Sequence, residues 1–238
     1  MADDYTHSYS ALGAEPPPPP PRPPFFHRSW MVFAQPGELF KALALNPAWF
    51  PIAVLVALIT AAIMWILPAE LFLEAAIDRI PPDQAEDAAA QMAQMPDIVF
   101  KGFAMGGAAL VTFLFPVILS VVTYVIFVFI RGDNSTYRQH ICVVAHTGVI
   151  TAVGTALNAF VQLRSGDLTR TLSVGTFFPF LPDGYFAEFL LALDLFYLWA
   201  AVVAGIGLAA AAPGRKTGST AGVLIGMVVV SALIRAAF

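Results

Sequence analysis

Residues 102–130 read GFAMGGAALVTFLFPVILSVVTYVIFVFI, a run with no Asp, Glu, Lys or Arg. A helix needs about 20 mostly apolar residues to cross a hydrocarbon core of roughly 30 Å, so this stretch alone is long enough to span a bilayer. It decides the fold class. Four further apolar runs flank it, and together they predict spans at about 50–67, 103–130, 141–163, 189–212 and 219–235, with an outer loop over 69–100. The expected architecture is all-α: a polytopic integral membrane protein built as a five-helix transmembrane bundle.

Composition supports this. The 238-residue chain is 58% hydrophobic and only 12% charged, with a mean hydropathy of +0.75. Soluble domains carry about 25% charged residues, so too little charge is present to dress a water-facing surface. A net charge of −4, with no basic cluster larger than a pair, excludes nucleic acid as a partner. The lone Cys142 can form no internal disulfide and has no thiolate partner for a metal.

The spans are separated by turn chemistry at Arg131-Gly132-Asp133-Asn134-Ser135, Arg164-Ser165-Gly166-Asp167 and Pro213-Gly214-Arg215-Lys216. Residues 1–35 divide off as a disordered proline-rich cytoplasmic tail, with its unbroken run from Pro16 to Pro21, and an aromatic segment lying on the inner leaflet. The tail reads as a spacer or as a ligand for an aromatic groove. No signal peptide is expected, because the first long apolar stretch lies some fifty residues in. Residues 36–238 form the five-span domain. Of the twelve Lys and Arg, seven fall on the side of the N-terminus and five on the other. That bias predicts a cytoplasmic N-terminus and an external C-terminus in the cell (inner) membrane.

Glu70, Glu74 and Asp78 share a helix face in the outer loop; without a turn to wrap oxygens around an ion, that face is expected to be solvated, and no metal site is predicted. Inside the membrane, a carboxylate at Asp194 costs about 2.5–3.5 kcal/mol and demands a partner. At 1.5 Å per residue, Asp194 lies about 27 Å from Ala212, and Asn158 about 26 Å from Ile141. Equal depth predicts a polar cluster of Asp194, Asn158, Thr155 and Thr112 in the outer half of the bilayer. His146 faces elsewhere on its helix and matches Tyr124 in depth, which predicts a second polar pair. Asp194 or His146 could serve structural hydrogen bonding or a proton relay. Small residues at Gly222, Gly226, Gly205 and Ala201 mark places for tight helix packing, within the chain or in a homo-oligomer.

No phosphate loop, paired histidines, nucleophile elbow or Cys/His cluster occurs, so no catalysis and no cofactor are expected. The segment Asn134-Ser135-Thr136-Tyr137-Arg138-Gln139-His140-Ile141-Cys142-Val143-Val144-Ala145-His146 resembles the polar turn entering the third span of bacterial members of the Yip (Ypt/Rab-interacting protein) family. Asp194 to Trp199 with Ala204 to Leu208 is similar to that family's fourth span, and Pro36-Gly37-Glu38-Leu39-Phe40 is consistent with its opening. The resemblance covers roughly 36–235. It implies five spans and a cytoplasmic N-terminus; eukaryotic relatives assist trafficking with small GTPases, but this chain lacks their Gly-Pro and Gly-Tyr-rich signatures, and no catalytic residue carries over. Two functions compete: a non-enzymatic membrane organiser or adaptor with the bilayer and protein partners, and a small proton- or ion-coupled transporter using the Asp194 cluster.

Overall fold

The computed structural model describes residues 21–237 apart from Arg79 and Pro213; the tail assigned to residues 1–20 lies outside them. Among the described residues every regular element is helical, and the sole extended contact is an isolated antiparallel bridge between Ser173 and Asp194.

Helix α7 (Tyr137–Ser165) is the centre, and its ends are built into the sequence. Thr136 and Gln139 form a reciprocal capping box: the Thr136 hydroxyl accepts from the Gln139 amide at 3.3 Å, while Gln139 Oε1 accepts from the Thr136 amide at 2.7 Å. At the other end Gly166 takes φ +70° and its N–H closes on the Gln162 carbonyl. One pair of helices, α3 (Phe50–Ile66) and α6 (Asp97–Tyr124), packs on one side of α7, and a second pair, α9 (Leu195–Ala211) and α10 (Thr217–Arg235), packs through α9 on another. Where α7 meets α9, a Cβ on Gly154 would lie 2.4 Å from Phe196 Cγ, so the ring seats on bare backbone. Between α9 and α10, Gly205 plays the same part against Ala221.

The aromatic segment expected on the inner leaflet falls in helices α1 (Phe25–Ala34) and α2 (Pro36–Leu45), which do not lie flat across the end of the bundle. They stand against it as a hairpin hinged at Gln35. Gln139 in the first turn of α7 donates to the Ala44 carbonyl (2.9 Å), Phe40 meets His146 edge-on, and Phe33 reaches Trp199 in α9. Trp199 lies thirteen residues from Ala212, about 20 Å up the bundle. The reason is apolar: Val32, Leu39, Phe40 and Leu43 are fully buried against α7 and α9, while Phe26 and Trp30 are left exposed.

Three helices are long and apolar enough to cross a membrane: α6 with its continuation (Asp97–Ile130), α7 and α10. A fourth is reached if α3 and α4 (Ala69–Ile77), bent by 92°, count as one span. The expected continuous span at 189–212 is broken. Leu193 and Asp194 leave helical geometry and divide it into α8 (Tyr185–Ala192) and the 17-residue α9. At 1.5 Å per residue α9 is about 26 Å long, short of a roughly 30 Å core. In the outer loop, α4 and α5 (Pro82–Ala93) flank Pro81, and Glu70, Glu74 and Asp78 are exposed. Among the described residues no group of His, Cys, Asp and Glu could hold a metal.

Candidate functional site

Two polar clusters sit at opposite ends of the bundle. The distal one centres on Asp194. Its backbone is extended, so it caps α9 instead of lying within a helix: Oδ1 accepts from the amides of Phe196 (2.7 Å) and Tyr197 (3.1 Å). Asn158 on α7 donates from Nδ2 to Asp194 Oδ2 at 3.3 Å and accepts from the Leu172 amide at 2.7 Å, which ties the loop before α8 to both helices. The chain there is cross-stitched, with Leu195 N–H on the Leu172 carbonyl and Val174 N–H on the Leu193 carbonyl. Thr155 lies beside Asn158 but donates to the Thr151 carbonyl (3.0 Å). Thr112 lines the neighbouring cavity from α6 and makes no hydrogen bond to Asp194, Asn158 or Thr155. A cavity of about 270 Å³ opens beside the cluster, lined by Asp194, Asn158, Gln162, Tyr197 and Arg235.

The expected pairing of His146 with Tyr124 is not formed. Tyr124 meets His140 edge-on, ring centroids 5.5 Å apart, because α6 passes along the face of α7 that carries His140. His146 faces α2, donates from Nδ1 to the Cys142 carbonyl at 2.7 Å, and has no partner for Nε2 among the described residues. Of the four packing positions, Gly205 and Ala201 are in helix contacts. A Cβ on Gly222 or Gly226 would meet nothing within 4 Å, because α10 turns that face away from α9.

The proximal cluster was not anticipated. After Tyr124, α6 loosens into a π-helical stretch, Val125–Ile130, which turns Phe127 inward and brings Asp133 beside the α9–α10 turn. There Arg215, its side chain only 3% exposed, pairs with Asp133, donates to the Leu208 carbonyl (2.8 Å) and to Ser135 Oγ (3.1 Å), and stacks over Phe127 at 4.6 Å. Burial pulls the Arg215 guanidinium below its ordinary pKa, and Asp133 opposes that shift.

From Ser135 the bonds continue to His140 Nε2 (2.9 Å), from His140 Nδ1 to Thr123 Oγ1 (3.0 Å), and from Thr123 to the Ser120 carbonyl (3.1 Å). The directions follow from the last link. Thr123 gives its only proton to a carbonyl, so it accepts from His140 Nδ1–H, while the partner of Nε2 is the Ser135 hydroxyl, which accepts from Arg215. The one hint in the sequence is an acid in one same-side turn, Asp133, and a base in another, Arg215; nothing pairs them across that separation.

The arrangement holds helices together and leaves a cavity at one end; the Ser135–His140 and Cys142–His146 contacts are buried and line neither that cavity nor the groove beside it. The Yip1 domain family model matches residues 30–237, from α1 to the end of α10. Neither a curated protein nor a solved structure matches the chain. With an all-α bundle, spans long enough for a bilayer and a family match over most of its length, the chain belongs to the Yip1 domain family and is a membrane protein.

Proposed function

We propose that this protein is a non-enzymatic organiser or adaptor in the cell membrane, threaded five times, with its N-terminus on the cytoplasmic side and the α1–α2 hairpin entering the bundle from that side. The observation that supports this reading is the engagement of the Asp194 carboxylate: two α9 amides and the Asn158 amide take its oxygens, leaving it a structural cap. Thr151 and Thr155, on the helix face leading away from it, give their hydroxyl protons to their own helix. Outward-facing Phe26 and Trp30 on α1 provide apolar surface for lipid or a partner. Five spans require α3 and the short α9 each to cross, with α8 and the loop before it completing the distal side.

A transporter is the second reading, favoured by the cavity beside Asp194. Flux measurements in proteoliposomes separate the two. Asp194→Asn keeps the cap and its shape; under the adaptor reading wild type and variant are equally silent, and proton- or ion-coupled flux lost on this change overturns it. Partners are sought by crosslinking in native membranes through cysteines placed at Phe26 and Trp30. A cysteine at Gln91 that labels from outside intact cells fits the proposed orientation, and protection there reverses it.

A further inference from the structure

A groove of about 450 Å³ lies beside α7, lined by residues of α3, α6, α9 and α10. Its floor is one face of α7: Val144, Thr147, Gly148, Thr151 and Thr155. From Val144 to Thr155 is eleven residues, about 17 Å, close to half of a roughly 30 Å hydrocarbon core. The groove is one leaflet deep. Its walls are mostly apolar, with Ala53 and Val56 on α3 and Ala200 and Ala204 on α9, and the hydroxyls of Thr60, Thr112 and Ser231 are the polar exceptions.

The threonine floor looks polar in sequence but donates nothing into the groove. Thr147, Thr151 and Thr155 bond the carbonyls of Val144, Gly148 and Thr151 at 2.9, 2.9 and 3.0 Å, so the occupant need not be an acceptor. At the distal mouth the groove merges with the smaller polar cavity, sharing Thr155, Tyr197 and Arg235. Arg235 is the unengaged charge there: the ion pairs among the described residues are Lys41–Glu38, Arg170–Asp167 and Arg215–Asp133. Asp194 across the mouth is held by its three N–H donors. A mostly apolar slot one leaflet deep with a free guanidinium at its rim complements an amphiphile with a long apolar tail and an anionic head.

We propose that the groove seats an acyl chain of one glycerophospholipid whose phosphate is held by Arg235. This rests on the chain spanning a bilayer and holds for adaptor and transporter alike. The test is native mass spectrometry of the full chain released from nanodiscs of phosphatidylethanolamine and phosphatidylglycerol. Wild type is expected to retain one phospholipid per protomer after annular lipid is stripped. Arg235→Gln should lower the retained fraction about tenfold and Arg235→Lys should restore most of it. Thr151→Phe, which fills the floor, should abolish retention, and Arg138→Gln, an exposed arginine at the other end, should leave it unchanged. If Thr151→Phe fails to fold, the Arg235 variants decide alone. Equal retention in wild type and Arg235→Gln, no retention in wild type, or a second protein copy in place of lipid overturns the proposal.

Discussion

The two polar clusters use the same side-chain chemistry to different ends. At the proximal end, Arg215, Ser135, His140 and Thr123 are packed away from solvent beside a half-buried Asp133, and an unbroken chain of hydrogen bonds joins them, with Arg215 Nε left without a partner among the described residues. At the distal end, Asp194 and Asn158 tie a loop to two helices but border an open cavity. A closed network specifies geometry, since any rearrangement strands a buried donor. An open one leaves room for a ligand. The difference assigns rigidity to one end of the molecule and adaptability to the other.

Mutation can sharpen or break that contrast. Arg215→Gln removes one partner of the buried pair and leaves Asp133 uncompensated, with an expected loss of about 3–5 kcal/mol. Thermal unfolding in detergent reads this as the largest shift of the set, and an unchanged melting temperature would mean the proximal end is not closed. His140→Leu removes the partner that Ser135 and Thr123 share, for about 1–3 kcal/mol; denaturant titration followed by tryptophan fluorescence measures it, and a loss below that of the Asp194 variant would reverse the ranking of the two ends.

Asp194→Ala deletes a helix cap, worth about 1 kcal/mol, while Asp194→Asn should cost less because it keeps the cap through Oδ1 and gives up only the Asn158 bond. Hydrogen exchange at Phe196 and Tyr197 separates these two variants. The smallest effect is expected at Gly222→Ala, which meets open space and should be neutral or stabilise α10 by up to about 1 kcal/mol from helix propensity. Gly205→Ala, pressed against Ala221, should instead cost about 1–3 kcal/mol through overpacking. A self-association assay by analytical ultracentrifugation adds a check: Gly222→Ala should leave the monomer fraction unchanged unless that face binds another copy.

The helical class and the membrane character were legible because they depend on apolar run length. Run length did not reveal which span is central. Of the three long spans, α6 with its continuation holds the most apolar 18-residue window and has only 22% of it buried within the protein, whereas α7 has the least apolar window, 67% buried. Lipid-facing residues must be apolar, while protein-facing ones can be small or polar if partnered. The weaker hydrophobic signal therefore marks the centre. Asp194 was visible as a costly carboxylate, but its role as a cap was not, because the apolar flanks on both sides read as one uninterrupted helix. The upright α1–α2 hairpin was missed for a related reason: exposed Phe26 and Trp30 and buried Val32 and Phe40 are equally hydrophobic, and only contacts separate them. Tyr124 and His146 matched in depth along their helices, yet depth leaves the rotational facing of two packed helices open.

The link between Asp133 and Arg215 also constrains biogenesis. Asp133 follows the sixth helix and Arg215 precedes the last, so during N-to-C synthesis the acid, Ser135 and His140 emerge well before their cation. Until the α9–α10 hairpin has inserted, that end carries a carboxylate with no counterion and a histidine chain with no terminus. A nascent or truncated chain ending before Arg215 is thus chemically distinguishable from a finished one, and a quality-control protease or chaperone that senses stray charge near a membrane would have a ready mark of incompleteness.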